Sequence, residues 1–232
     1  MIKLITDGFT DIPVSASGVR ISSLYESYGC KYDFLRFYKQ TKGDKCTALI
    51  SLMDGHATVC KLGNSDDSEM LDFLSAVGAK TVYAEYDLPL ETIESGSIMH
   101  RASDIKASRD KKDKKMDFKR IYNIMSTSFA MPDFNVWYPD ISHRIRHGCA
   151  EIIENPYGCA AALKSTLGAL ITGICVTEDK RRNGYGSNIL NEIISVSGVH
   201  DIFALVENNG PIKFYEVNGF SQVGKFSTYK VK

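Results

Sequence analysis

The stretch from 168 to 194 constrains the fold more than any other part of the chain. Residues 168–175, Gly-Ala-Leu-Ile-Thr-Gly-Ile-Cys, form an apolar, β-branched run that predicts a buried strand. Val176 ends it, and the charged turn Thr177-Glu178-Asp179-Lys180-Arg181-Arg182 follows. Then come Asn183-Gly184-Tyr185-Gly186-Ser187 and a segment whose Ile189, Leu190, Ile193 and Ile194 share one face of a helix. The order is strand, charged turn, glycine-spaced bend, helix.

A helix start carries unpaired N–H groups and the positive end of the peptide dipoles, so it attracts phosphate. Gly184 and Gly186 let a ligand approach the backbone, and Arg181 and Arg182 add forked cationic donors. Such a stretch suits a diphosphate. Two other phosphate loops are excluded. No Gly-Lys-Ser/Thr is present, as a Walker loop needs. Ile189 stands where a dinucleotide fingerprint needs a third small residue.

The stretch resembles the acetyl-CoA loop of the GNAT (N-acetyltransferase) superfamily, Arg/Gln-x-x-Gly-x-Gly/Ala after a strand ending in Val. Here it reads Arg181-Arg182-Asn183-Gly184-Tyr185-Gly186 after Val176. A second stretch downstream, Asn208 followed by Phe214-Tyr215-Glu216-Val217-Asn218-Gly219-Phe220, is similar to that family's Asn…Phe/Leu-Tyr-Glu-x-x-Gly-Phe signature. The resemblance covers roughly the second half of the chain. Over the first half it is one of element order alone.

The 232 residues accommodate one large or two small domains, and 44% hydrophobic residues suffice for buried cores. With 28 basic and 28 acidic side chains there is no basic excess, which argues against a general nucleic-acid binder. The opening Met-Ile-Lys-Leu-Ile-Thr-Asp-Gly does not read as a secretion signal, and no apolar run approaches membrane-spanning length. Cys30, Cys46, Cys60, Cys149, Cys159 and Cys175 show no Cys-x-x-Cys spacing. They read as reduced thiols of a cytoplasmic protein, without disulfides or metal.

In the first half, Phe34, Phe37 and Tyr38 have helical spacing and are expected to pack in a core. Residues 46–53 read as a strand, Asp54-Gly55 as a hairpin turn and 56–62 as its returning partner. Asp66 with Glu69 makes a capping box for a helix ending before Gly78, and a strand follows at 80–86. The order hairpin, helix, strand repeats around the phosphate loop of the second half. At the equivalent helix start, however, stand Asp66, Asp67 and Glu69, which would repel a diphosphate. Residues 1–105 are therefore read as a degenerate GNAT-like domain without a cofactor site. Residues 106–116 form a charged linker, and 117–232 an acetyltransferase domain.

The second half predicts a helix over 118–129, a break at Met131-Pro132-Asp133, a helical run at 140–147 within the segment 134–148, and strands at 149–154 and 159–164 around the turn 155–158. Then come the loop and its helix, a strand at 202–206, a helix at 211–217 and a closing strand near 225–231. The first strand of the family's order has no counterpart in this half. His143 and His147 are one helical turn apart, but the Glu and third ligand of a metal site are missing. The fold class is α/β, a tandem architecture in which each half is a mixed, mostly antiparallel sheet flanked by helices.

The resemblance implies acyl transfer from acetyl-CoA to an amine, on a small molecule or a peptide. It assigns cofactor binding to Ile174, Cys175, Val176, Arg181, Arg182, Asn183, Gly184, Tyr185, Gly186, Ser187, Asn208 and Phe214. It makes Tyr215 the proton donor to the leaving thiolate. Trp137, Tyr138 and His143 belong to the early helices that supply acceptor pockets in the family. The glutamate that many relatives carry on the strand before the loop is missing from 168–175. Glu151, Glu154, Tyr138, His143 or a water remain as candidates for the base. The missing glutamate also keeps open a non-catalytic acyl-CoA sensor. No nucleic-acid or membrane partner is expected, and monomer and homodimer both stay open.

Overall fold

A computed structural model describes residues 1–8, 11–104 and 116–231. The elements of the first half are β1 (Ile2–Leu4), α1 (Ala16–Tyr28), β2 (Leu35–Lys42), β3 (Lys45–Met53), β4 (His56–Lys61), α2 (Asp67–Ala76), β5 (Thr81–Ala84) and β6 (Glu91–Ala102). Those of the second half are α3 (Phe118–Met125), α4 (Phe134–Arg146), β7 (Ala150–Asn155), β8 (Gly158–Ser165), β9 (Gly168–Val176), α5 (Tyr185–Ser197), β10 (Asp201–Glu207), α6 (Ile212–Val217) and β11 (Ser221–Lys230). Of the expected linker, all but Met116 lies outside the described residues.

All strands join one 11-stranded sheet in the order β1-β2-β3-β4-β5-β11-β6-β10-β9-β8-β7. Its pairs are antiparallel except β4–β5 and β9–β10, and each parallel pair is bridged by a helix, α2 or α5. Mixed sheet and flanking helices thus repeat in the two halves. The halves also exchange strands. β6 of the first half pairs with β10 of the second from Gly96–Glu207 to Ala102–Asp201. β11, the last strand of the chain, sits between β6 and β5. Among the described residues, no strand precedes α3 in the second half; what the first half lends it is β6, in the middle of the sheet.

One face carries α2, α5 and α6. The α5 residues Ile189, Leu190, Ile193 and Ile194 pack there on Ala160, Ile171 and Ala204. The other face carries α1, α3 and α4. α1 begins with Ser15 accepting from Gly18 N at 3.0 Å and crosses beneath both halves, against β4, β8 and β9. Gly18 instead leaves room for the Pro13 carbonyl at the start of the helix. No single apolar stripe marks the helix, because Ser17, Ser22, Ser23 and Ser27 are buried alongside Val19 and Ile21. α1 therefore escapes a reading by periodicity.

The structure corrects the helical spacing of Phe34, Phe37 and Tyr38. They lie in and beside β2, where Leu35 and Phe37 point into one core while Tyr38 packs from the opposite face on Phe73. An i, i+3, i+4 pattern placed on a strand simply divides between its two faces. The core reading holds for Phe37, which is buried, and not for Phe34, which is exposed. The hairpin forms as expected, with Asp54 and Gly55 at positive φ, and Asp66 caps α2 by accepting from Glu69 N at 3.0 Å. The capping box is only half made: Asp66 N donates to Gln40 Oε1, and the Glu69 carboxylate takes bonds from the N-terminal amine and Gln40 instead. No helix among the described residues is long and apolar enough to cross a membrane.

Candidate acyl-CoA site

β9 and β10 pair only from Ala169–Ile202 to Ile171–Ala204. Beyond that the strands diverge, and a register shift on the β8 side near Thr172 accompanies the split. The backbone from Gly173 to Val176 is left without a neighbour on the β10 side. At the same end, α5 begins. Arg182 and Gly184 both take left-handed conformations, with φ of 62° and 78°. Left-handed residues within a turn are the backbone pattern from which anion-binding nests are built. Among the described residues the N–H groups of 182–187 meet no hydrogen-bond partner, the first internal bond of the helix being Asn188 N to Gly184 O at 3.2 Å.

Strand split and helix start open on one cavity of about 680 Å³. Ile174, Cys175, Val176, Arg181, Arg182, Gly184, Gly186, Ser187, Phe214 and Tyr215 line it, with Ser128 and Pro211 in addition. Gly186 faces the Phe214 ring so closely that a Cβ would come within 3.2 Å of it. Tyr215, on α6, is 8% exposed, and its hydroxyl has no hydrogen-bond partner among the described residues. Burial pushes its phenol up to about 12. Cys175 lies opposite Cys159 across β8 and β9. Hydrogen bonding from Cys159, then from Ser128, and the Arg181 charge hold the Cys175 thiol below its ordinary value against the effect of burial.

Three residues assigned to cofactor binding turn their side chains elsewhere. Asn183 donates to Lys180 O and Arg181 O, and so fixes the turn rather than a ligand. Tyr185 stacks on Tyr157 with ring centroids 3.9 Å apart. Asn208 Nδ2 donates to Ser95 Oγ at 2.7 Å, a partner that exists only because β6 lies beside β10. The acceptor-side candidates on α4, Trp137, Tyr138 and His143, are not among the lining residues either. Trp137 packs among Phe118, Tyr122 and Phe134, and Tyr138 stays exposed beside them. His143 stacks on Tyr28 at 4.4 Å and bonds Ser27 O at 2.9 Å, joining the two halves.

Among the described residues that line the cavity there is no Asp, Glu or His. Glu154 is bound by Arg120 and Glu151 by Lys164. Of the acids before the loop, Asp179 pairs with Lys180 at 3.0 Å. Among the described residues no three His, Cys, Asp or Glu side chains converge as metal ligands do. Ser128 and Pro211 have no motif of their own. Ser128 reaches the cavity because α3 stops at Met125, four residues before the expected end, where Ser126 and Thr127 bond back to Tyr122 O and Ile124 O.

Residues 143–222 match the family described as acetyltransferase (GNAT) domain. Over those residues the chain is similar to a GNAT domain. That match takes in β9, the loop, α5, β10 and α6, the elements that surround the cavity. No curated protein matches the chain as a relative. Among solved structures, the fold is similar to a GCN5-related N-acetyltransferase from Kribbella flavida, at TM-score 0.59 and 10% identity over 96% of each chain. A GCN5-related N-acetyltransferase from Sphaerobacter thermophilus aligns at 0.58 and 12% identity, over 83% of this chain and 79% of that one. A tandem GNAT protein from the clavulanic acid biosynthesis pathway aligns at 0.54 and 11% identity, over 100% of this chain and 99% of that one. The likeness in fold to these structures extends over the first half as well.

Proposed function

We propose that the chain is an acyl-CoA-dependent N-acyltransferase that moves an acyl group, acetyl in the simplest case, onto a primary amine by direct attack. What carries this reading is a convergence on one cavity: free amides at a helix start, an unpaired strand edge and a protonated phenol. The residues fit acetyl-CoA. Amides of 182–187, with Arg181 and Arg182, suit its diphosphate, and the absent Cβ of Gly186 leaves room beside Phe214. When bound, acetyl-CoA supplies an activated acyl thioester. The backbone of Ile174, Cys175 and Val176 offers hydrogen bonds to the peptide-like arm and to the thioester carbonyl. Tyr215 holds a proton at its Oη for the departing thiolate.

No lining residue is a base, so the amine would enter neutral or lose its proton to a water, with proximity supplying much of the rate. The same feature favours a second reading, a non-catalytic acyl-CoA sensor. Of the three candidate acceptor contacts, Tyr138 is the exposed one, and Trp137 and His143 act through packing. In the first half, Asp66 caps α2 and Glu69 pairs with the N-terminal amine, which supports a half without an acyl-CoA site. Two measurements test the function: calorimetry with CoA, and free-thiol release from acetyl-CoA across amines that include polyamines, amino acids and peptides. Binding at one site per chain with thiol release supports the transferase. Binding without release across the panel supports the sensor, and no binding sinks both.

A further inference from the structure

A second cavity, of about 220 Å³, lies on the α1 face where the halves meet, and it shares no lining residue with the first. β3 and β4 contribute Ser51 and Thr58, α1 contributes Arg20, α4 contributes Arg144, and Leu163 of β8 closes one wall. Arg144 is 5% exposed. Its Nε is held by both carboxylate oxygens of Asp140, at 2.9 and 3.0 Å, and its Nη2 reaches only the Met53 sulfur at 3.9 Å. Its Nη1 is buried and has no hydrogen-bond partner among the described residues. The Arg20 guanidinium lies 4.4 Å from the centre of the Tyr83 ring, and no hydrogen bond or salt bridge holds it among the described residues. Glu85 and Glu94 act on it from beyond contact distance.

Two guanidinium groups therefore face one small cavity with donors unused. Leaving a buried cationic donor unmade is costly, and Arg144 disfavours the charge on Arg20. A planar fork of N–H groups is the geometry that oxyanions match. The Ser51 and Thr58 hydroxyls add neutral donors on the floor, and both residues are buried. Asp54 and His56, both exposed, stand at the rim. Asp54 is the one carboxylate in the lining and disfavours a large excess of negative charge.

We propose that this cavity binds a small oxyanion, the carboxylate of an organic acid or inorganic phosphate, between Arg20 and Arg144. The bound anion would tie α1 to α4 and so stiffen the joint between the halves. The site is independent of the acyl-CoA reading, and its test needs no CoA. The full chain is titrated with sodium propionate and, separately, sodium phosphate, with sodium chloride holding the ionic strength constant. Melting temperature and calorimetry are the readouts. A saturable rise of about 3 °C or more is expected with at least one anion. A response to propionate identifies a carboxylate site, and one to phosphate a phosphate site. Arg20→Met keeps an apolar side chain over Tyr83 and should bind about tenfold more weakly while remaining folded by circular dichroism. No rise beyond chloride with either anion overturns the site. So does a rise that Arg20→Met leaves unchanged.

Discussion

Asn208 Nδ2 donates to Ser95 Oγ at 2.7 Å, and the Asn208 amide donates to Ser95 O at 3.0 Å. This double bond between the end of β10 and the middle of β6 fastens the second half to a strand of the first. It also gives the asparagine of the family signature a protein partner. Asn208→Ala should remove one exposed side-chain hydrogen bond and cost about 0.5–1.5 kcal/mol of unfolding free energy, read from urea denaturation. If that variant instead weakened CoA more than the fold, Asn208 would be a ligand contact in solution.

Gly96 tests the seam more severely. A Cβ there would lie 2.1 Å from Val206 O and 2.8 Å from Glu207 Cα, both backbone atoms of the adjoining strand. Neither can move without opening the β6–β10 pair. Gly96→Ala is expected to cost about 2 kcal/mol or more, within or above the usual range for overpacking. A neutral result would show that β6 is not held against β10.

Tyr215→Phe removes a hydroxyl that no protein group uses. Stability should stay within about 0.5 kcal/mol of the parent and CoA affinity nearly unchanged, while turnover falls by about a hundredfold. Unchanged turnover excludes the proton-donor role. The pH dependence has a definite sign. Folding raises this phenol from its ordinary value near 10 to about 12, so the neutral form is the one the fold favours. Its contribution to stability is complete below about pH 10 and is lost as pH rises from there toward 12. Turnover that vanished well below pH 10 would have to come from another group.

Gly184 has φ of 78° and open space where a Cβ would be. Gly184→Ala should therefore cost about 1 kcal/mol through backbone strain alone, with CoA affinity lowered modestly. Gly184→Glu adds a negative charge beside the proposed diphosphate cradle and should abolish CoA binding by calorimetry. Tight binding by the glutamate variant would place the diphosphate elsewhere.

Cys175 offers a probe that needs no activity. Its thiol lines the cavity and is more acidic than an ordinary cysteine, through hydrogen bonds from Cys159 and Ser128 and the nearby Arg181. Alkylation by N-ethylmaleimide, mapped by mass spectrometry, should mark Cys175 slowly and CoA should block it. Cys30 and Cys46, partly exposed and far from the loop in sequence, should label equally with and without CoA. Equal labelling of Cys175 in both conditions would contradict the placement of the arm along β9.

The residues from Val176 to Ser187 and from Pro211 to Phe220 were legible because their roles are local. A glycine bend before an amphipathic helix fixes where free amides point, whatever the rest of the chain does. The same locality revealed the Asp54-Gly55 hairpin and the Asp66 cap. Strand β6 had no such mark: Glu91-Thr92-Ile93-Glu94-Ser95-Gly96-Ser97 is polar, and its Ser-Gly-Ser core reads as a turn. It becomes a strand because β10 and β11 satisfy its backbone from both sides. α1 was equally silent, since contact with β4, β8 and β9 buries its serines as well as its apolar residues. The sequence by itself determined the local geometry of the loop and the signature, through glycine conformation and helix periodicity. Tertiary structure alone decided the exchange of strands, the engagement of Asn208 and the pairing of Arg20 with Arg144, because each depends on residues far apart in the chain that meet only when the two half-sheets become one.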